Sequence, residues 1–424
     1  MVNHSDTFDG SRARPLTQRC LLQFKEHWQL LCLVFVLLLL HLILVSYFKT
    51  YIEDEAYYVP QANSIIHERG PQFLVTNASF LAHPALAKLF IATGILAFGD
   101  NPWGWRIPSV IFGVISVIIF YFICKRMAGK RTAVVGSFLL AFENFTFACS
   151  GVAMLDVFSM TFMLFSFLLF LDRRYVLSGT SLALAGLCKL PGLLGVLVIL
   201  GYWALAGKRS DIRKIGLLLV SLVVVFLLLM PIVDFAATNH WFNPIDRVHD
   251  MLVTATSLKY SQVSPEVRAS TGMSYPWEWI LSTGYGWKAG GKAYSFAYTT
   301  ALFILIVPSI AYMAYELFEK RRKVALFSLL WFGATYVVWI PVALVTDRAM
   351  YTYYFLPTVG AICMAVGFGI QRLWQRSETT KTRVLRWLLR TLVVSYLFVY
   401  VLSFLLVSTL FLAFADVFFH ATLK

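Results

Sequence analysis

Charge is scarce in this chain. Asp, Glu, Lys and Arg make up 14% of its 424 residues, against 59% hydrophobic ones and a mean hydropathy of +0.72. So few ionic groups cannot solvate the exterior of a soluble domain, which implies an integral membrane protein. Also absent is the ten-residue alternation that marks membrane-spanning strands, so helices must do the spanning. Cysteine is rare. All six (Cys20, Cys32, Cys124, Cys149, Cys188 and Cys363) fall in or at the ends of expected helices, so no disulfide framework follows. There is no CxxC, no HExxH, no His/Asp set at metal-ligand spacing, no Gly-rich phosphate loop and no G-x-S-x-G elbow; no metal or cofactor is expected. Internal repeats and low-complexity tracts are missing as well.

What is present is a series of long apolar runs. Leu30–Phe48, Ile107–Ile123, Met154–Leu171, Ile215–Phe235 and Val393–Ala415 approach or exceed the roughly 20 residues that carry a helix across about 30 Å of hydrocarbon. The first exceeds a signal-peptide core and has no small-residue cleavage site after it, so it should remain as an anchor. The net charge of +14 comes in short clusters between runs: Arg12, Arg14, Arg19 and Lys25, Lys125-Arg126 with Lys130-Arg131, Arg173-Arg174, Lys208 to Lys214, Lys320 to Lys323, and Arg372 to Arg390. That is the positive-inside pattern rather than a nucleic-acid patch.

Reading those clusters as cytoplasmic gives about eleven spans, at 28–48, 105–124, 132–149, 152–171, 176–188, 192–206, 215–235, 297–317, 324–345, 351–370 and 390–414. The N-terminus then lies inside and the C-terminus outside. The chain divides into a cytoplasmic segment 1–27, a transmembrane module 28–235 carrying an outer loop at 49–104, a second outer loop at 236–296 and C-terminal helices over 297–424. In the first loop, 56–68 and 86–98 have helical apolar spacing but are short, which predicts helices lying at the interface.

Ionisable residues beside the membrane are the candidates for chemistry, because they are costly there. Glu53-Asp54-Glu55 follows the first span; adjacent carboxylates suit general-base work, although acids also favour a helix start. Arg106, beside Trp103 and Trp105, reads as an interfacial anchor or an anion ligand. Asp156 is open to explanation as a cap, Glu143 much less so. Lys189, at the break Lys189-Leu190-Pro191-Gly192, is the cation that topology explains least, and a half-helix end there suits a phosphate.

Several stretches together resemble the dolichyl-phosphate-mannose protein O-mannosyltransferase family. Asp54-Glu55 is similar to its Asp-Glu pair, and His83-Pro84-Ala85-Leu86-Ala87-Lys88 to its His-Pro-Pro-Leu-Gly-Lys. Phe98-Gly99 through Arg106-Ile107-Pro108-Ser109, Leu155-Asp156, Gly186-Leu187-Cys188-Lys189, Pro276-Trp277-Glu278-Trp279 and Arg348 with Tyr351, Tyr353, Tyr354 and Pro357 follow the family in order. Gly151 stands where the family has Arg, Leu190 where it has Trp, and the second outer loop is too short for the MIR domain of eukaryotic members, which points to a prokaryotic type.

The resemblance implies an all-α polytopic protein of the GT-C glycosyltransferase fold and an inverting enzyme at the extracytoplasmic face. Mannose would pass from a polyprenyl (dolichyl) phosphate carrier to Ser/Thr hydroxyls of an acceptor protein or peptide. Asp54 would take the hydroxyl proton and Glu55 position the acceptor, with Lys189, Arg106 and Arg348 on the donor phosphate. His83, Lys88, Asp156, Trp277, Trp279 and Tyr353 would line the donor pocket or the acceptor path. Partners are the lipid-linked donor, the acceptor and membrane lipid, with room for a homo- or heterodimer. The alternative keeps the fold and moves the sugar to a glycan or lipid; a transporter would want repeats and mid-membrane charge that this chain lacks.

Overall fold

The structure is a computed structural model describing residues 16–68, 78–207, 211–289 and 292–422. It opens with α1 (Leu16–Val45), followed in the first outer loop by α2 (Glu55–His67) and α3 (Leu86–Phe98). The membrane helices resume with α4 (Pro102–Ala128), α5 (Lys130–Ala141), α6 (Asn144–Ser150), α7 (Leu155–Leu171), α8 (Tyr175–Cys188), α9 (Gly195–Ala206) and α10 (Ile212–Thr238). The second outer loop holds α11 (Pro244–Ser257), α12 (Pro265–Thr271) and a hairpin of β1 (Gly284–Ala289) and β2 (Lys292–Ala297). After it come α13 (Thr300–Phe303), α14 (Ile306–Phe318), α15 (Lys323–Phe332), α16 (Trp339–Thr346), α17 (Leu356–Thr379), α18 (Arg383–Val407) and α19 (Thr409–Thr422).

Among the described residues, seven helices are long and apolar enough to cross a membrane, and the bent pair α5–α6 makes an eighth. The eleven expected spans are therefore not reproduced as such. Four of the apolar segments, α3, α7, α8 and the stretch Leu190–Ala206, run only 10–17 residues. The expected span at 132–149 is broken by 65° between α5 and α6. Glu143 makes that break: its carboxylate accepts from the Phe145 and Thr146 amides at 3.1 and 2.7 Å and from the Thr146 hydroxyl. It also takes the Thr299 amide. Capping, expected from the sequence to account poorly for Glu143, is thus what this intramembrane acid does. The second half-helix then aims at the outer loops instead of continuing along the span.

α4 and α17 form the interior of the bundle, and 89% of the most apolar window of the α17 span is buried against protein. α10 and α18 are peripheral; Val220, Leu228, Trp387, Leu388 and Phe398 face outward, as lipid-contacting residues must. α4 begins where Asn101 accepts the Trp103 amide and Pro102 supplies a preset φ. α3 lies so close to α4 that a Cβ on Gly94 would stand 2.3 Å from the Gly104 carbonyl, which seats the first outer loop on the bundle. The hairpin departs from an all-helical reading. Gly-Tyr-Gly-Trp-Lys and Ala-Tyr-Ser-Phe-Ala alternate aromatics about Gly290-Gly291, a hairpin signature, and Tyr285 stacks on Phe296 across the strands at 5.0 Å.

Two buried ion pairs fix the outer loops. Glu55 holds Arg106 from two sides, at 2.9 Å to Nε and 2.8 Å to Nη2. The remaining guanidinium protons go to the carbonyls of Val45, Phe48 and Thr50. Glu55 in turn accepts the Ile52 and Ala153 amides. Asp234, at the end of α10, binds Arg247 of α11 at 3.1 Å, and Arg247 donates to the carbonyls of Leu81 and His83. Lys88 completes this second cluster: it donates to the Phe80 carbonyl at 2.7 Å and lies 3.8 Å from the Phe80 ring centroid. Burial, then Arg247, hold its amine well below the ordinary lysine range.

Removing one member of a fully buried pair strands the other. Arg106→Met should therefore cost about 3–5 kcal/mol, read as a lower thermal midpoint of the purified protein in detergent. A midpoint unchanged from the parent would show that the pair does not hold the loop.

Candidate active site

Asp54 immediately precedes α2, and its carboxylate accepts the hydroxyls of Tyr58 and Tyr353. Tyr58 is one helical turn further on, so the two meet by i,i+4 geometry. Asp54 remains half-buried, whereas Glu53 and Glu55 on either side are buried. Glu53 adopts a left-handed φ of 53° and accepts the Asp54 amide at 2.6 Å. That kink turns consecutive carboxylates in different directions. Burial raises the Asp54 carboxyl above its ordinary value, against the opposing pull of Lys189 and the two tyrosine hydroxyls. Glu53 is pushed up further, by burial and by Asp54 beside it.

Lys189 stands in extended conformation where α8 ends. Its ammonium donates to both oxygens of Asp156 at 2.9 and 2.7 Å and lies 4.5 Å from the Tyr353 ring centroid. Asp156 comes from the first turn of α7, so this pair ties two short helices together at the same place where Tyr353 meets Asp54. Asp54, Lys189, Asp156 and Tyr353, four of the residues singled out in the sequence, are thus one cluster.

Beside the cluster is an apolar cavity of about 380 Å³, walled by Leu190, Leu193, Leu197, Met251 and Trp339, with His83, Arg348 and Tyr354 as its polar lining. Arg348 donates to the Tyr354 hydroxyl at 2.8 Å and keeps a buried Nε without a partner. His83 is held neutral: burial, then Lys189, Lys88 and Arg348, push its imidazole well below the usual range. A second cavity, of about 500 Å³, opens in the outer loop and is lined by Arg268, Ser274, Glu278, Tyr285 and Thr352 among others. The Tyr285 hydroxyl is buried without a partner, and its ring feels the field of Glu53 and Asp54.

Other expectations meet physical objections. Every N–H of Arg106 is spent on Glu55 and three carbonyls, leaving none for a phosphate. The oxygens of Glu55 carry four donors, two from Arg106 and two backbone amides, so nothing remains to orient an acceptor. Lys88 belongs to the Asp234–Arg247 cluster and does not line the Arg348 cavity. Trp279 is 1% exposed, its indole N–H on Ser274, and is unavailable for stacking on a substrate. Trp277 stays half-buried, stacked on Tyr275 at 4.5 Å. Arg247, Tyr58 and Tyr285 were missed. Asp234, an acid closing an apolar run, was the available signal for Arg247, and i,i+4 spacing from Asp54 the signal for Tyr58.

Residues 82–234 match the family model described as dolichyl-phosphate-mannose-protein mannosyltransferase. The polyprenol-phosphate-mannose–protein mannosyltransferase of Corynebacterium glutamicum is 26% identical over 458 aligned positions, 85% of this chain and 84% of that protein. Among solved structures, the S. cerevisiae protein O-mannosyltransferase complex bound to its sugar donor aligns with a TM-score of 0.69 at 12% identity, over 90% of this chain and 89% of that one. ArnT from Cupriavidus metallidurans in the apo state aligns with a TM-score of 0.59 at 15% identity, over 89% and 74%. The chain is a multi-pass membrane protein of the GT-C fold, similar over residues 82–234 to the dolichyl-phosphate-mannose-protein mannosyltransferases.

Proposed function

We propose that this protein transfers mannose from a polyprenyl phosphate carrier to Ser or Thr hydroxyls of proteins, with inversion at C1, at the extracytoplasmic face. One observation carries the reading: three consecutive residues join two cavities to one carboxylate. Tyr353 donates to Asp54, its neighbour Thr352 lines the polar outer cavity, and its other neighbour Tyr354 lines the apolar one. A lipid-linked donor suits the apolar cavity and a hydroxyl acceptor the outer one, and Asp54 is tied by Tyr353 to the residues that line both.

The chemistry needs a base and a counter-charge for the leaving group. Asp54 accepts the proton of the acceptor hydroxyl as its oxygen forms a bond to the sugar C1 from the face opposite the phosphate. The C1–O bond to phosphate breaks, and its electron pair leaves with the polyprenyl phosphate. Arg348, with an unspent Nε at the apolar cavity, offers that anion charge-assisted hydrogen bonds. Lys189 keeps one ammonium proton free of Asp156, over Tyr353, and its field favours the ionised form of Asp54. Neutral His83 can donate or accept at the cavity wall without adding charge. In this reading Glu55 and Arg106 hold the loop, and Asp54 acts alone as base. The N-terminus would lie in the cytoplasm and the C-terminus outside, as the basic clusters favour.

Asp54→Asn keeps the size of the side chain and one acceptor oxygen for the tyrosines, and removes the base. Transfer of labelled mannose from polyprenyl phosphate mannose to a Ser/Thr-rich peptide should fall about 10²–10⁴-fold. Equal transfer by parent and variant would remove Asp54 from the mechanism, and no peptide transfer by a folded parent that mannosylates a glycan or lipid would overturn the acceptor class. Because burial raises the Asp54 carboxyl and the base works ionised, activity should be lost as pH falls through that raised value. The acid limb of kcat/KM should therefore lie above the ordinary aspartate value of about 3.9; a limb at or below it contradicts a buried base. Arg348→Gln should lower kcat/KM about 10- to 100-fold, the worth of one charge-assisted contact, with no loss of thermal midpoint; an unchanged value would take Arg348 off the phosphate.

A further inference from the structure

The basic end of the molecule carries a cleft remote from the Asp54 cluster. α17 starts beside Tyr353 and runs 24 residues to Thr379, so its last turn stands about 35 Å from the Asp54 cluster. There, between the ends of α14 and α17, is a cleft of about 780 Å³ lined by Lys320, Arg372, Arg376, Glu316, Glu378 and Tyr312 among others. Both carboxylates are already neutralised from outside the cleft: Glu316 by Arg322 at 2.6 Å and Glu378 by Arg131 at 2.7 Å. Three cations are left over. Arg372 contacts only uncharged groups, the Gln375 amide oxygen at 3.3 Å and the Tyr312 hydroxyl. Two helix C-termini offset about one unit of charge between them, which leaves about two positive charges facing an open cavity.

We infer that this cleft binds the headgroup of an anionic phospholipid from the bilayer leaflet at the basic end. The occupant is a lipid rather than a free anion because apolar surface continues directly from the cleft. Val307, Tyr315 and Phe318 of α14 are 63%, 51% and 78% exposed, giving acyl chains a path along the helix while the phosphate meets Lys320, Arg372 and Arg376. Basic pockets between spans are a recurrent solution for such headgroups. The pairing of Glu316 and Glu378 with outside arginines is what makes the site selective for negative charge.

The test uses the full-length protein in a neutral detergent, following thermal unfolding as phosphatidylglycerol, phosphatidylcholine or glycerol 3-phosphate is added. Phosphatidylglycerol should raise the midpoint saturably, by about 2 °C or more, and the other two should not. Arg372→Gln with Arg376→Gln should abolish the rise while leaving mannosyl transfer intact. Should that pair fail to fold, Lys320→Gln, at an exposed position, should weaken the lipid response at an unchanged lipid-free midpoint. An equal rise with phosphatidylcholine, an equal rise with glycerol 3-phosphate, or a variant that responds like the parent would each overturn the inference.

Discussion

The pairing of Glu55 with Arg106 is the constraint on which the outer half of the structure depends. Neither residue is more than 1% exposed, and between them they engage the end of α1, the linker at Phe48 to Ile52, the start of α2, the start of α4 and Ala153 ahead of α7. Burying two charges is costly unless every proton and lone pair is answered. Here the guanidinium has five acceptor contacts and the carboxylate four donors, so the cost is offset by a junction of three stretches of chain, residues 45–55, Arg106 and Ala153. The loop that carries Asp54 inherits its position from that junction. It also explains why two adjacent acids differ in role: Glu55 has no capacity left, while Asp54, turned aside by the left-handed Glu53, keeps some exposure and is held by hydroxyls that donate without neutralising its charge.

The same logic of answered charges recurs at three further sites near the membrane. Asp156 answers Lys189, Asp234 answers Arg247, and Glu143 answers the amides of a half-helix. Arg348, beside the apolar cavity, keeps a buried Nε with no partner among the described residues. A buried donor left unmatched costs stability, so its retention beside an apolar cavity argues for a ligand that is anionic at one end and apolar at the other. A polyprenyl phosphate has that form.

Much of this was legible in the sequence, because composition and apolar runs report directly on burial in lipid. The anchoring of α1, the two short helices α2 and α3, and the break at Lys189 follow from run length, Pro and Gly. Span count was not legible: α7 and α8 are 17 and 14 residues long and bury most of their surface in protein, so hydropathy cannot tell a short packed helix from a crossing one. The roles of Arg106 and Lys88 were unreadable for a different reason. A lone cation near a membrane interface looks the same in sequence whether its protons go to a substrate or to groups 50 or more residues away, and those of Arg106 go to Glu55, Val45, Phe48 and Thr50. Trp277-Glu278-Trp279 makes the point again, since one indole is core and the other half-buried on Tyr275.

The hairpin gives Gly151, where the resemblance implied an arginine, a packing reason. Any side chain at Gly151 would place its Cβ 2.9 Å from the Tyr294 hydroxyl, 3.5 Å from the Ala148 carbonyl and 3.5 Å from His41 Nδ1. Tyr294 cannot easily withdraw: it sits in β2, its ring is 3% exposed, and its hydroxyl donates to the Ala148 carbonyl at 2.9 Å. The volume that an arginine would need at 151 is therefore filled by an aromatic arriving from the second outer loop. Gly151 thus suits the packing of a hairpin docked on α6, where a side chain would press on the Tyr294 hydroxyl.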